Sequence, residues 1–121
     1  MRQPESIIKS DIKKALAERG AYFAPVAQGS FGKPGDPDMV VCYRGLFIGI
    51  EVKTAAGSMR PIQKRRMKEI RAAGGVYALP RSVEDAMALL DELDPILDEM
   101  ERMAEEHGLS IGGMGHVEEE S

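Results

Sequence analysis

Two short apolar runs, residues 39–43 and 46–52, are separated by nothing but Arg44-Gly45, and this arrangement constrains the chain more than any other feature. Valine-rich runs of that length read as strands, and a two-residue connection leaves room only for a tight antiparallel hairpin. Side chains alternate along a strand, so Glu51 and Lys53 project to one face and Val52 to the other. Asp38 opens the first strand, and following the hairpin back along its own length brings Asp38 beside Glu51. Two carboxylates and an ammonium are therefore expected to meet at one end of a sheet.

Taken singly, these residues are unremarkable: Gly35-Asp36-Pro37-Asp38 is good turn chemistry, and an acid two residues from a lysine on a strand is commonly a solvated charge pair. Their conjunction is different. Glu51 follows Leu46-Phe47-Ile48-Gly49-Ile50, a run apolar on both faces, and a charge at the end of a buried strand is costly unless it is paired or holds a metal. Phosphodiester hydrolysis needs an acidified water, a polarised phosphorus and a stabilised leaving oxygen, all of which Mg²⁺ or Mn²⁺ on one or two carboxylates supplies. The trio thus points to a metal-dependent cut in nucleic acid. Asp38 and Glu51 are the expected ligands, Val52 can add its backbone carbonyl, and Lys53 can orient the water or offset charge on the phosphate oxygens.

The remaining pattern predicts a helix over 5–19, a strand over 21–27, a glycine-rich loop over 28–37, the hairpin, a helix over 61–73, a strand over 75–80 and a helix over 82–93. This is an α/β order, α-β-β-β-α-β-α, in which the hairpin is antiparallel and the later crossover parallel, so the central sheet is expected to be mixed. Asp94-Pro95 reads as a cap and first-turn proline opening a separate acidic amphipathic helix over 94–108, with Ile96, Leu97, Met100, Met103 and Ala104 as its apolar stripe. The domain proper is expected to span 1–93, and 109–121 to be a disordered tail. Cys42, the single cysteine, is expected in the core, with no disulfide framework.

A formal charge of −4 conceals two halves of opposite sign, since residues 1–81 hold 15 Lys and Arg against 7 Asp and Glu, whereas 82–121 hold 1 against 13. Arg60, Lys64, Arg65, Arg66, Lys68 and Arg71 crowd one helix, with Lys64, Lys68 and Arg71 on a single stripe. Beside a site that needs a polyanion, Arg60, Lys64, Arg65, Lys68 and Arg71 are expected phosphate contacts, as is Lys33 on the preceding loop, where Phe31 can lie against a base. The acidic helix can shield this basic face until nucleic acid arrives. That loop is no nucleotide-binding glycine motif, because Gly32-Lys33 is followed by Pro34 and Ala27 stands where a glycine is required. No apolar run approaches membrane-spanning length and no secretory leader is visible, so a soluble, reducing, cytoplasmic setting is expected.

From about residue 5 to residue 90, the string Gly35-x-Pro37-Asp38, the hairpin, Ile50-Glu51-Val52-Lys53-Thr54, Pro61-x-Gln63 opening a helix and Ala73-Gly74-Gly75 resembles the VRR-NUC branch of the PD-(D/E)XK nucleases. The resemblance implies a restriction-endonuclease-like fold and matches Asp38, Glu51 and Lys53 to the core motif, with Gln63 as the glutamine that follows it. It also implies an acid on the first helix, for which Glu5 is the candidate, sharing a face with Ile8 and Ile12, and Asp11 the fallback. The implied activity is a divalent-metal-dependent endonuclease with Mg²⁺ or Mn²⁺, a homodimer acting on double-stranded or branched DNA such as four-way junctions, often phage-encoded and working in the bacterial cytoplasm. A non-catalytic nucleic-acid-binding module, or an accessory subunit of a DNA-processing assembly, is the alternative.

Overall fold

The computed structural model of the chain describes residues 4–26, 32–54 and 57–109. In chain order its elements are α1 (Glu5–Glu18), β1 (Tyr22–Pro25), β2 (Met39–Tyr43), β3 (Leu46–Ile50), α2 (Pro61–Ala72), β4 (Val76–Ala78) and α3 (Val83–Glu106). The sheet runs β1-β2-β3-β4, antiparallel at its first two pairings and parallel between β3 and β4, which is the mixed sheet expected. Arg44 and Gly45 both take positive φ, 52° and 90°, as a two-residue hairpin matched to strand twist requires. That turn sets Tyr43 opposite Leu46 and Met39 opposite Ile50, so the next residues outward are Asp38 and Glu51.

Ile8, Ile12 and Leu16 of α1, spaced four apart, lay one stripe on Met39, Val41, Tyr43, Ile48, Ile50 and Val52, and α3 completes the layer with Ala86, Leu90 and Leu97. Each large side chain buried there contributes about 1.5–3 kcal/mol. The other face carries α2, and Gly49 of β3 is the close-approach point: a Cβ there would meet Ile70 and Pro37 at 3.1 Å. Over β1 and β2 no helix packs on this second face among the described residues. Cys42 consequently is exposed rather than a core residue, because Val41 and Tyr43 take the inward positions of β2.

The break expected at Asp94-Pro95 is absent, and α3 runs through Pro95 as one helix. Two causes outweigh the missing N–H. Buried Leu90, Leu97 and Ala104 are spaced by sevens, near two full turns, so one continuous face stays in phase on the domain. The Asp94 carboxylate, moreover, is not free to cap a helix: it accepts from Tyr43 Oη at 2.6 Å, Arg19 at 3.0 Å and Arg44 at 3.1 Å. Of the predicted stripe only Leu97 and Ala104 are buried, while Ile96, Met100 and Met103 are exposed. The expected tail, from residue 110 onward, lies outside the described residues.

Candidate active site

β3 ends at Ile50, yet the backbone continues beside β4: Glu51 N–H donates to Ala78 O at 3.0 Å and Lys53 N–H to Pro80 O at 3.1 Å. This keeps the alternation alive past the strand, burying Val52 in the core and leaving Glu51 and Lys53 to the α2 side. Asp38 is fixed by its own backbone neighbour across the hairpin, its Oδ2 accepting the Val52 N–H at 2.8 Å. The loop leading to it is pressed on α2. Gly35 has φ 82°, and a Cβ on it would fall 2.6 Å from Ile62 O. Arg66, reaching back from α2, donates to Pro34 O at 3.1 Å and lies 3.7 Å from the Asp36 carboxylate.

Gln63, 4% exposed, ties the remaining groups together. Its Oε1 accepts from Lys53 Nζ and from Arg60 N–H, both at 3.0 Å, and its Nε2 donates to Glu51 Oε2 at 3.1 Å. Lys53 Nζ itself stands 3.6 Å from Glu51 Oε2. Pro61 starts α2 where its absent N–H costs nothing, which sets Gln63 on the first turn facing inward. Burial pushes the Glu51 carboxyl above its ordinary range and the neighbouring Asp38 charge pushes it the same way, only partly countered by Lys53 and Lys9. A buried Glu51 carboxylate with Asp38 nearby offers hard-oxygen donors to a cation, and such donors suit Mg²⁺ or Mn²⁺. The residues therefore fit such an ion. Among the described residues, no three Asp, Glu, His or Cys side chains converge, so waters and backbone oxygens would complete the shell.

The residues expected at this place are brought together in part. Glu51, Lys53 and Gln63 are joined by hydrogen bonds, and Asp38 stands across the hairpin from Glu51. Glu5 stays exposed in the first turn of α1 instead of turning inward with Ile8 and Ile12, and Asp11 does not join the carboxylates either. What α1 sends to Asp38 is Lys9, whose Nζ lies 3.1 Å from Asp38 Oδ1. Tyr77 of β4, paired with Gly49 in the sheet, is a second residue not anticipated. Its hydroxyl is buried with no hydrogen-bond partner among the described residues, and burial, then the charges of Glu51 and Asp38, push it up to about 12. Along α2, Arg60, Lys64, Arg65, Lys68 and Arg71 are exposed, as is Lys33, whose backbone N–H is held by Asp36 Oδ2 at 2.7 Å. Phe31 lies outside the described residues.

No family model matches the sequence, and no curated protein does. A solved structure described as a VRR_NUC domain does match in three dimensions, with a TM-score of 0.61 and 22% sequence identity, covering 72% of this chain and 94% of that one. The chain thus shares the α/β fold of that VRR_NUC domain structure. Among the described residues, no helix is long and apolar enough to cross a membrane.

Proposed function

We propose that this protein is a divalent-metal-dependent endonuclease that hydrolyses phosphodiester bonds in DNA, acting in the cytoplasm as a homodimer on double-stranded or branched substrates such as four-way junctions. The observation that carries this reading is buried Glu51, linked through Gln63 to Lys53 and standing across the hairpin from Asp38. Asp38, Glu51 and the Val52 carbonyl would hold Mg²⁺ or Mn²⁺, which when bound supplies Lewis acidity toward water and phosphate. Gln63 holds the Lys53 ammonium beside the carboxylates, where it offsets charge developing on phosphate oxygens and orients the incoming water. Lys64, Lys68 and Arg71, exposed on one stripe of α2 with Arg60 and Arg65 beside it, take backbone phosphates, and Lys33 takes another.

One observation favours a second reading. Lys9 and Lys53 each neutralise one of the two carboxylates, an arrangement that would also serve a binding module with a purely structural charge cluster. Supercoiled plasmid and a synthetic four-way junction, each incubated with Mg²⁺, Mn²⁺ or chelator, separate the two. The nuclease reading expects cleavage that requires metal and disappears in Asp38→Ala and Lys53→Ala. Cleavage surviving chelation or either substitution would place the site elsewhere, and binding without cleavage would select the module.

A further inference from the structure

Both oxygens of Asp38 are taken. Oδ2 accepts the Val52 N–H at 2.8 Å, a bond built into the hairpin, and Oδ1 is paired with Lys9 Nζ at 3.1 Å. Across the sheet end, Glu51 Oε2 is engaged by Gln63 and Lys53. A cation reaching both carboxylates can keep the Val52 bond and the Gln63 bond, since each is made by a neutral donor, but it competes directly with the ammonium on Oδ1. The Lys9 side chain is 32% exposed and rises from the half-buried flank of α1 between Ile8 and Ile12, so its head can retreat into solvent while its stem stays packed.

We infer that Lys9 is a resident counter-ion that a divalent metal must displace from Asp38, and that it sets the metal concentration at which the site fills. The inference rests on the metal-dependent reading above and assigns to α1 a role that Glu5 and Asp11 do not take. Without metal, the ammonium neutralises one member of a like-charged pair. A doubly charged ion outcompetes it because attraction scales with charge, whereas a monovalent ion gains no such margin. Lys9 thereby holds the hairpin end together until a metal binds and raises the threshold for loading.

Isothermal titration of the full chain with Mn²⁺, with Asp38→Ala to identify the site, tests this. Lys9→Met is expected to bind Mn²⁺ about tenfold more tightly than the unsubstituted protein, as removal of a nearby like charge predicts, while its metal-free thermal midpoint falls. Lys9→Arg, which keeps the charge, is expected to stay near the original affinity, and Lys9→Gln serves the same comparison if the methionine variant is unstable. Mn²⁺ bound at the Asp38-dependent site with equal or weaker affinity in the neutral variants would overturn the inference and leave the nuclease reading standing. If no protein in the series shows an Asp38-dependent Mn²⁺ site, both fall together.

Discussion

Glu51 is 8% exposed, and its surroundings disfavour its charge, which gives the metal-free protein a specific pH dependence. Because its folded pKa lies above the unfolded value, the folded state binds the proton more readily, so Glu51 adds stability at pH values below its ordinary carboxylate range. That contribution is lost as pH rises through the elevated folded value. Chemical denaturation from pH 4 to 8 in chelator should therefore show a decline that Glu51→Gln removes. An identical profile in the variant would mean that Glu51 titrates normally. Gln63→Ala should cost about 1–3 kcal/mol in the same assay, since it removes the amide hydrogen bond to buried Glu51 and the acceptor of the Arg60 N–H. At this scale the sequence was most readable where geometry is periodic. A two-residue turn and a two-residue repeat place Asp38 opposite Glu51, with Lys53 on the same face, before any coordinates are known. Lys9 was not readable, because the rotation of α1 about its axis is decided by packing, and a lysine near Lys13 and Lys14 looks like solvent-facing charge.

The elements themselves followed their local signals, with Ser82 Oγ accepting the Asp85 N–H at 3.1 Å to start α3 and Gly74, φ 93°, ending α2. Pro95 is where local and tertiary signals conflict. Asp-Pro is a sound helix-start signal, and reading it as a boundary underrated the in-phase face of Leu90, Leu97 and Ala104 and the pull of Tyr43, Arg19 and Arg44 on Asp94. A proline inside a helix costs roughly 3 kcal/mol relative to alanine, so Pro95→Ala should stabilise the protein by about 1–3 kcal/mol in urea unfolding, with no change in the helical boundaries seen by amide exchange. Gly35→Ala belongs at this scale with the opposite sign. Its positive φ and the 2.6 Å approach to Ile62 O leave no room for a methyl group, and a loss above about 1 kcal/mol is expected, together with displacement of the segment that delivers Asp38.

Across the whole molecule, charge is partitioned by face. α2 lines one side of the sheet with exposed Lys64, Arg65, Lys68 and Arg71, while α3, packed against α1 on the opposite side, presents exposed Glu84, Asp85, Asp91, Glu92, Asp98, Glu99, Glu105 and Glu106. The two halves of opposite sign seen in the sequence thus become two sides of one body, and a polyanion meets an attractive face and a repulsive one. An overall charge of −4 then orients rather than repels, turning the α2 side and the neighbouring Asp38–Glu51 end toward a polyanion. If DNA lies along α2, affinity in the absence of divalent metal should fall steeply with salt, and Lys64→Ala, Lys68→Ala and Arg71→Ala should each flatten the log–log slope by about 0.9 as one phosphate contact is removed. Charge reversal on α3, for example Asp98→Lys with Glu105→Lys, should strengthen binding at low salt without altering that slope by a comparable step, because those residues act through the field and touch no phosphate. Fluorescence anisotropy with a labelled duplex from 25 to 300 mM salt reads both effects. Slopes unchanged in all three α2 variants would show that the DNA path avoids α2, and would redirect attention to the Lys33 loop on the same side of the sheet.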